Sequence, residues 1–336
     1  MDLSGQWRAN VADDERRRSA VGLDYFDDDW PEVAVPSHWR NLAPFAGNDD
    51  ALIYRKRFDL APAPEGKRHF VTLEGVFYQA DVWLDGAYLG DPEGYFFPHS
   101  FDIPSLSRLA TEHVLAVEVA CPPQRNRKVK RTITGVFQNW DAMDPTWNPG
   151  GLWRPVRIDT TGPVRIDRCR VLCRDVNDTR AHLRLHARLD SDTARTVRVS
   201  TRVDGELLDQ HEQSLAGGLN EVDWNIDIND PRLWWPWTLG EQELTDIEVE
   251  ISLDEVVSDS RTVRTGLREV VLQDWVFLVN GEPMFVKGAN LAPTRMALGD
   301  ATPAELRRDV ELAREAGLDL LRVHGHISRP ELYDAA

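Results

Sequence analysis

The sequence predicts a mainly β protein: two β-sandwiches in succession, then the first two β/α units of a truncated TIM barrel. Three observations predict it. Short β-rich runs separated by Gly, Pro and Asp clusters continue to about residue 268. Asp-Gly and Asn-Gly pairs fall between apolar arms, the strongest short hairpin signal, because a two-residue turn needs positive φ at both central positions. After residue 269 the order changes to β-α-β-α. With 336 residues, 42% of them hydrophobic, the chain is long enough for two or three domains with cores of their own.

The first sandwich is assigned to residues 1–163, on the runs YRKRFDL (54–60), HFVTLEGVFYQADVWLDGAYLG (69–90) and HVLAVEVA (113–120), with Asp85-Gly86 closing a hairpin. Residues 164–268 carry RCRVLCRDV, AHLRLHARLD, RTVRVSTRVDGELLDQHEQSL, NEVDWNIDI and TDIEVEISLD. About 100 residues of short strands fit an immunoglobulin-like sandwich without the Cys and Trp pairing of antibody domains. Residues 269–336 open with a hairpin on Asn280-Gly281 whose second arm continues into an apolar strand. A helix follows: Thr302 as N-cap, Pro303 at the first position and Glu305 at the third form a capping box, Leu306, Val310 and Ala313 share a face, and Gly317 ends it. LDLLRVHG (318–325) then reads as a parallel strand covered on both faces, and Ser328 with Glu331 as a second capping box. Only two of eight barrel strands are present, leaving unpaired edges, so the chain is expected to be a fragment of an enzyme.

Composition excludes several partners. A net charge of −17 and scarce lysine argue against nucleic acid and anionic membranes, which require a basic surface. Runs such as Asp13-Asp14-Glu15 and Asp27-Asp28-Asp29 are expected on the surface, either as an ordinary solvated acidic face or as a mark of salt adaptation. No 18-residue apolar run occurs and no apolar segment follows the N-terminal charges, so a cytoplasmic protein is expected. Cys121, Cys169 and Cys173 lack zinc spacing and read as reduced, buried thiols; no metal or cofactor is expected. Serine-hydrolase, zinc-peptidase and nucleotide-binding motifs are missing. Nothing in the sequence sets an oligomeric state.

Five segments, in order, carry a resemblance: LSGQWRAN, VWLDGAYLGDPEGYFFPHSFDI (82–103), NPGGLWRPVRI (148–158), DPRLWWPWTLGEQEL (230–244) and RTGLREVVLQDWVFLVNGEPMFVKGAN (264–290). Together they resemble the N-terminal part of glycoside hydrolase family 2, the β-galactosidases, β-glucuronidases and β-mannosidases. The resemblance implies a jelly-roll sugar-binding domain, an immunoglobulin-like domain and a catalytic barrel. Trp140-Asp141 ahead of GGLWRPV, and KGANLAPTR, are similar to the β-mannosidase side. The sequence departs from that pattern at Ala142-Met143-Asp144 and at His324-Gly325-His326.

The resemblance implies retaining hydrolysis of O-glycosidic bonds by an exo-acting β-glycosidase, with a nucleophile and an acid/base carboxyl about 5–5.5 Å apart. It places both on later barrel strands, downstream of residue 336, so no catalytic residue is assigned here. Asn220-Glu221 is the one Asn-Glu pair, and it reads as a turn in the second sandwich. Sugar contacts are expected from Asn290, Arg322, His324 and His326 at the C-terminal ends of the barrel strands, with Trp140 and Asp141 closing the pocket from the sandwich. Trp153, Trp234, Trp235 and Trp237 are read as packing residues. The alternative is a non-catalytic carbohydrate-binding or assembly protein built on the sandwiches alone.

Overall fold

A computed structural model describes residues 1–103, 111–123, 144 and 146–336. The first unit contains β1 (Gly5–Val11), helix α1 (Asp14–Ser19), β2 (Glu32–Val35), β3 (Leu52–Asp59), β4 (Arg68–Leu73), β5 (Val76–Phe77), β6 (Gln79–Leu84), β7 (Ala87–Gly90), β8 (His99–Asp102), β9 (Glu112–Ala120), β10 (Gly151–Leu152) and β11 (Val156–Thr161). The large sheet runs β2-β1-β3-β9-β6-β7, and it faces the smaller sheets β11-β4-β8 and β10-β5. Trp7, Leu52, Tyr54, Val82, Leu115 and Val117 from the large sheet meet Val71, Leu73, Phe77, Leu152 and Ile158 in one apolar core. The expected hairpin is present, with Asp85 at φ 52° and Gly86 at φ 84° between paired β6 and β7.

The acidic runs are used more specifically than expected. Asp13 caps α1, its carboxylate accepting from the backbone N–H of Glu15 and Arg16. Asp27 is not on the surface: it is 5% exposed. The Arg55 side chain, fully enclosed, donates to it from Nε at 2.7 Å and also reaches the Gly22 and Tyr25 carbonyls. A carboxylate can be buried only with such a partner, and the partner lies 28 residues away in β3.

The second unit contains β12 (Val164–Val176), β13 (Arg180–Ser191), β14 (Arg195–Val203), β15 (Glu206–Leu215), β16 (Gly218–Asn229), β17 (Thr245–Leu253) and β18 (Val256–Thr265). Sheets β12-β13-β16 and β15-β14-β17-β18 form an immunoglobulin-like sandwich, whose core joins Leu183, Leu185 and Trp224 to Val199, Val249 and Ile251. Asn220-Glu221 lies within β16 and not in a turn; the Asn220 amide closes the preceding turn through Ala216, and Glu221 pairs with His186. Arg68 ties the two units together, bonding Asp102 at 2.7 Å and Asp190 at 3.0 Å. All three cysteines are free; Cys121 is buried, whereas Cys169 and Cys173 are only half-buried.

The third stretch holds an antiparallel sheet of β19 (Val270–Gln273), β20 (Val276–Val279) and β21 (Glu282–Met284), then β22 (Gly288–Leu291), α2 (Pro303–Glu315), β23 (Leu320–Val323) and α3 (Pro330–Ala335). The hairpin on Asn280-Gly281 is present, at φ 49° and 83°, but its second arm breaks before β22 instead of running into it. Strands β22 and β23 pair in parallel across α2, a β-α-β unit. The Thr302–Glu305 capping box forms, with Pro303 in the first turn, and Gly317 sits at φ 72° beyond the helix.

Two expectations fail here. The N-cap of α3 is Arg329 and not Ser328, because Pro330 takes the first helical position and the Glu331 carboxylate turns back to the Arg329 guanidinium. Strand β23 is covered on one face only. Leu291 and Val323 pack with Leu306, Val310 and Leu332 of the helices, while Leu320, on the opposite face, is 43% exposed.

Candidate functional site

Alternation along β22 and β23 sorts their side chains. Leu291 and Val323 turn to the helices, so Asn290 and Arg322, one residue earlier on each strand, turn to the other face. The two are register partners, side by side at the C-terminal ends of a parallel pair. Arg322 Nη1 donates to Asn290 Oδ1 at 3.2 Å and to His324 Nδ1 at 2.9 Å. A guanidinium only donates, so His324 Nδ1 is the acceptor and the neutral ring carries its proton on Nε2. The backbone N–H of His324 donates to Leu291 O at 2.9 Å, which continues the ladder by one residue.

The structure therefore brings together three of the expected residues. Among the described residues, N–H donors on Arg322, the Asn290 amide and His324 Nε2 remain without a partner, a set suited to neutral hydroxyl oxygens. His326 takes a different place. It is 8% exposed, and its Nδ1–H donates to the His324 carbonyl at 3.0 Å. Burial lowers its pKa below the usual imidazole value, so it is neutral at pH 7. Its bond to that carbonyl closes the turn that carries His324. Trp140 and Asp141 lie outside the described residues. Trp153 is buried in the first core, as expected, and Trp237 donates from Nε1 to Leu318 O at 3.0 Å, bridging to the segment that enters β23.

Two residues that sequence reasoning passed over hold this unit against the first sandwich. His38 is fully buried among Phe77, Trp147 and Trp153. Its Nδ1–H donates to Pro149 O at 2.6 Å, and its Nε2 accepts the Gly299 N–H at 3.2 Å. Desolvation drives its pKa down to about 4. Arg154 stacks on the Trp153 ring and bonds the carbonyl of Ser328 at 2.9 Å. No local signal marks either, since both act on residues over 150 positions away. Among the described residues no group of three His, Cys, Asp or Glu is placed to hold a metal ion. No helix among them is long and apolar enough to cross a membrane.

Comparison with known proteins places the chain. Residues 36–154 match the family described as "Glycosyl hydrolase 2 galactose-binding domain-like" and residues 164–268 the one described as "Glycosyl hydrolases family 2". The chain belongs to glycosyl hydrolase family 2, as its N-terminal portion. An exo-β-D-glucosaminidase of Streptomyces avermitilis is 29% identical over 91% of this chain and 35% of its own length. A β-mannosidase B of Emericella nidulans is 25% identical over 83% of the chain and 36% of its own length. The crystal structure of an exo-chitosanase from Amycolatopsis orientalis superposes with a TM-score of 0.79, at 20% identity, over 98% of this chain and 41% of that one. The chain thus spans about a third of the length of these curated relatives.

Proposed function

We propose that this chain is the N-terminal portion of a retaining, exo-acting β-glycosidase that hydrolyses O-glycosidic bonds at a terminal sugar. Residues 1–163 serve as a jelly-roll sugar-binding domain, 164–268 as an immunoglobulin-like domain, and 269–336 as the first two units of a TIM barrel. The carrying observation is the Asn290–Arg322–His324 cluster at the C-terminal ends of β22 and β23, on the face away from the helices. In a closed barrel that end of the strands is where substrates bind. The cluster's donors take the hydroxyl oxygens of one sugar ring, and Trp140 and Asp141 supply a stacking ring and an acceptor from the sandwich side.

The reaction needs two carboxyl groups on opposite sides of the glycosidic bond, one attacking the anomeric carbon and the other protonating the leaving oxygen. In the third stretch Glu305 is committed to Arg295 and the Thr302 cap, Glu331 to Arg329 and Asp309 to Thr294. The chain spans about a third of the length of its glycosidase relatives, and we assign the catalytic pair to the part of those enzymes that it does not cover. The sugar is a β-mannoside, β-galactoside or β-glucosaminide, the last on the strength of the glucosaminidase relatives.

The test is an assay of the purified 336-residue chain on nitrophenyl β-mannoside, β-galactoside and β-glucosaminide, with binding of the matching methyl glycosides measured alongside. Binding of one sugar without turnover is expected. Turnover by the chain alone overturns the placement of the carboxylates, and binding abolished by loss of the sandwich residues but untouched by Arg322→Met supports the non-catalytic sugar-binding alternative.

A further inference from the structure

The turn after β23 carries both histidines, and its first half is fixed by its own unit: His324 N–H bonds Leu291 O, and His326 Nδ1–H bonds His324 O. The second half is fixed from outside. Arg154, between β10 and β11 of the first sandwich, lays its guanidinium on the Trp153 ring with Cζ 4.3 Å from the centroid. One edge donates to Phe96 O at 3.4 Å, within its own sandwich. The other donates through Nη2 to two consecutive carbonyls of the turn, Ile327 at 3.4 Å and Ser328 at 2.9 Å.

A half-buried arginine would be expected to find a carboxylate. Among the described residues Arg154 makes no ion pair, and its Nε is buried without a hydrogen-bond partner. Placing a partly desolvated cation against neutral carbonyls is costly, and it persists where a planar fork is needed to clamp two backbone oxygens at fixed spacing. On the far side of the same turn Arg329 donates to Ala301 O at 2.8 Å, and Gly299 beside it meets His38. The turn is thus gripped on both sides, and on one of them the grip comes from a residue more than 170 positions earlier.

We propose that Arg154 is a positioning residue for the sugar-facing cluster: by clamping the Ile327 and Ser328 carbonyls from the first sandwich, it fixes the turn that sets where His324 and His326 stand. This rests on the reading of Asn290, Arg322 and His324 as the sugar contacts. It makes the sandwich a structural part of the site, which the cluster alone does not require. The guanidinium touches no substrate; it acts through the backbone of the turn.

The test compares the full chain with Arg154→Lys and Arg154→Met by long-range proton–nitrogen spectra of the histidine rings, without sugar. In the parent chain His326 is held as the Nδ1–H tautomer and His324 as the Nε2–H tautomer. Arg154→Met is expected to release both toward the mixture of a free imidazole, and Arg154→Lys, whose ammonium reaches one carbonyl, to fall between. His182 and His211, in the second sandwich, report whether any change is global and are expected to stay fixed. A flat series across the three chains overturns the proposal, and so does a change shared by His182 and His211. If Arg154→Met does not fold, the lysine variant decides: partial release at His324 and His326 alone supports the clamp, and no release overturns it. Because no sugar is present, failure here leaves the sugar assignment standing, and failure of sugar binding leaves the clamp standing.

Discussion

The second sandwich and the β-α-β unit at the end of the chain solve the burial problem to very different degrees. In the sandwich, two sheets cover each other, and eighteen apolar residues from Val164 to Leu267 fall inside one core. In the unit around β22 and β23 the corresponding cluster has three, Ala301, Leu306 and Leu332. Its outer surface, with the hairpin before it, leaves Trp275 95%, Phe285 87% and Leu272 65% exposed. A sandwich is complete when its second sheet is in place, whereas a parallel pair is half covered until something packs on its other face. The unit is held by what it borrows from both sandwiches: the His38–Gly299 and Arg154–Ser328 contacts and the Asn41–Asp300 hydrogen bond at 2.5 Å from the first, and the Trp237–Leu318 and Thr238–Asp319 hydrogen bonds from the second. The face proposed to meet a sugar is also the uncovered one.

The strongest contrast comes from one substitution in each region. Leu185→Ala, fully buried in the second core, should lower global stability by about 2–5 kcal/mol through lost transfer energy and a cavity. Leu306→Ala, on α2, should raise amide exchange in residues 285–336 while leaving the main melting transition of the sandwiches unchanged. Equal shifts of one shared transition would show that the two regions fold as one cooperative unit.

A smaller effect is expected from pH. The buried His38 ring titrates at about 4 when folded, against about 6.5 when unfolded. Above pH 6.5 the ring is neutral in both states and stabilises its docking site in full. As pH falls from 6.5 toward 4 the unfolded chain takes up a proton the folded chain refuses, costing roughly 3 kcal/mol in total, and little more below that. His38→Gln should flatten this part of the stability profile between pH 7 and 4; an unchanged slope would remove His38 from the docking interaction.

The smallest expected change is at the helix cap. Thr302→Ala removes the side chain that accepts the Glu305 N–H and should cost about 1 kcal/mol, read as faster exchange in the first turn of α2 alone. A loss spread over the sandwiches would contradict the local character of the third stretch.

What could be read from the sequence was local chemistry. Asp85-Gly86, Asn280-Gly281 and Thr302-Pro303-Glu305 each specify their own backbone within four residues, and each is found as read. The β-α-β order put Asn290 and Arg322 at the C-terminal ends of two parallel strands, but that they are register partners is visible only in the fold. Where pairing is distant, the sequence was silent. Asp27 reads as surface acid until Arg55 is folded against it, and Ser328 reads as a cap until Arg329 draws Glu331 away. His326 is similar to His324 in the sequence, yet the turn clamped by Arg154 buries one ring and presents the other.

The most direct measurement is a titration of the chain, labelled at histidine nitrogen, with methyl β-mannoside, β-galactoside and β-glucosaminide. If Asn290, Arg322 and His324 face a sugar, the His324 Nε2 resonance should shift saturably with one of the three, the His326 ring should move little, and Arg322→Met should abolish the shift. A His324 resonance that stays in place while a sugar saturates another part of the chain would contradict the assignment of the site to the ends of β22 and β23.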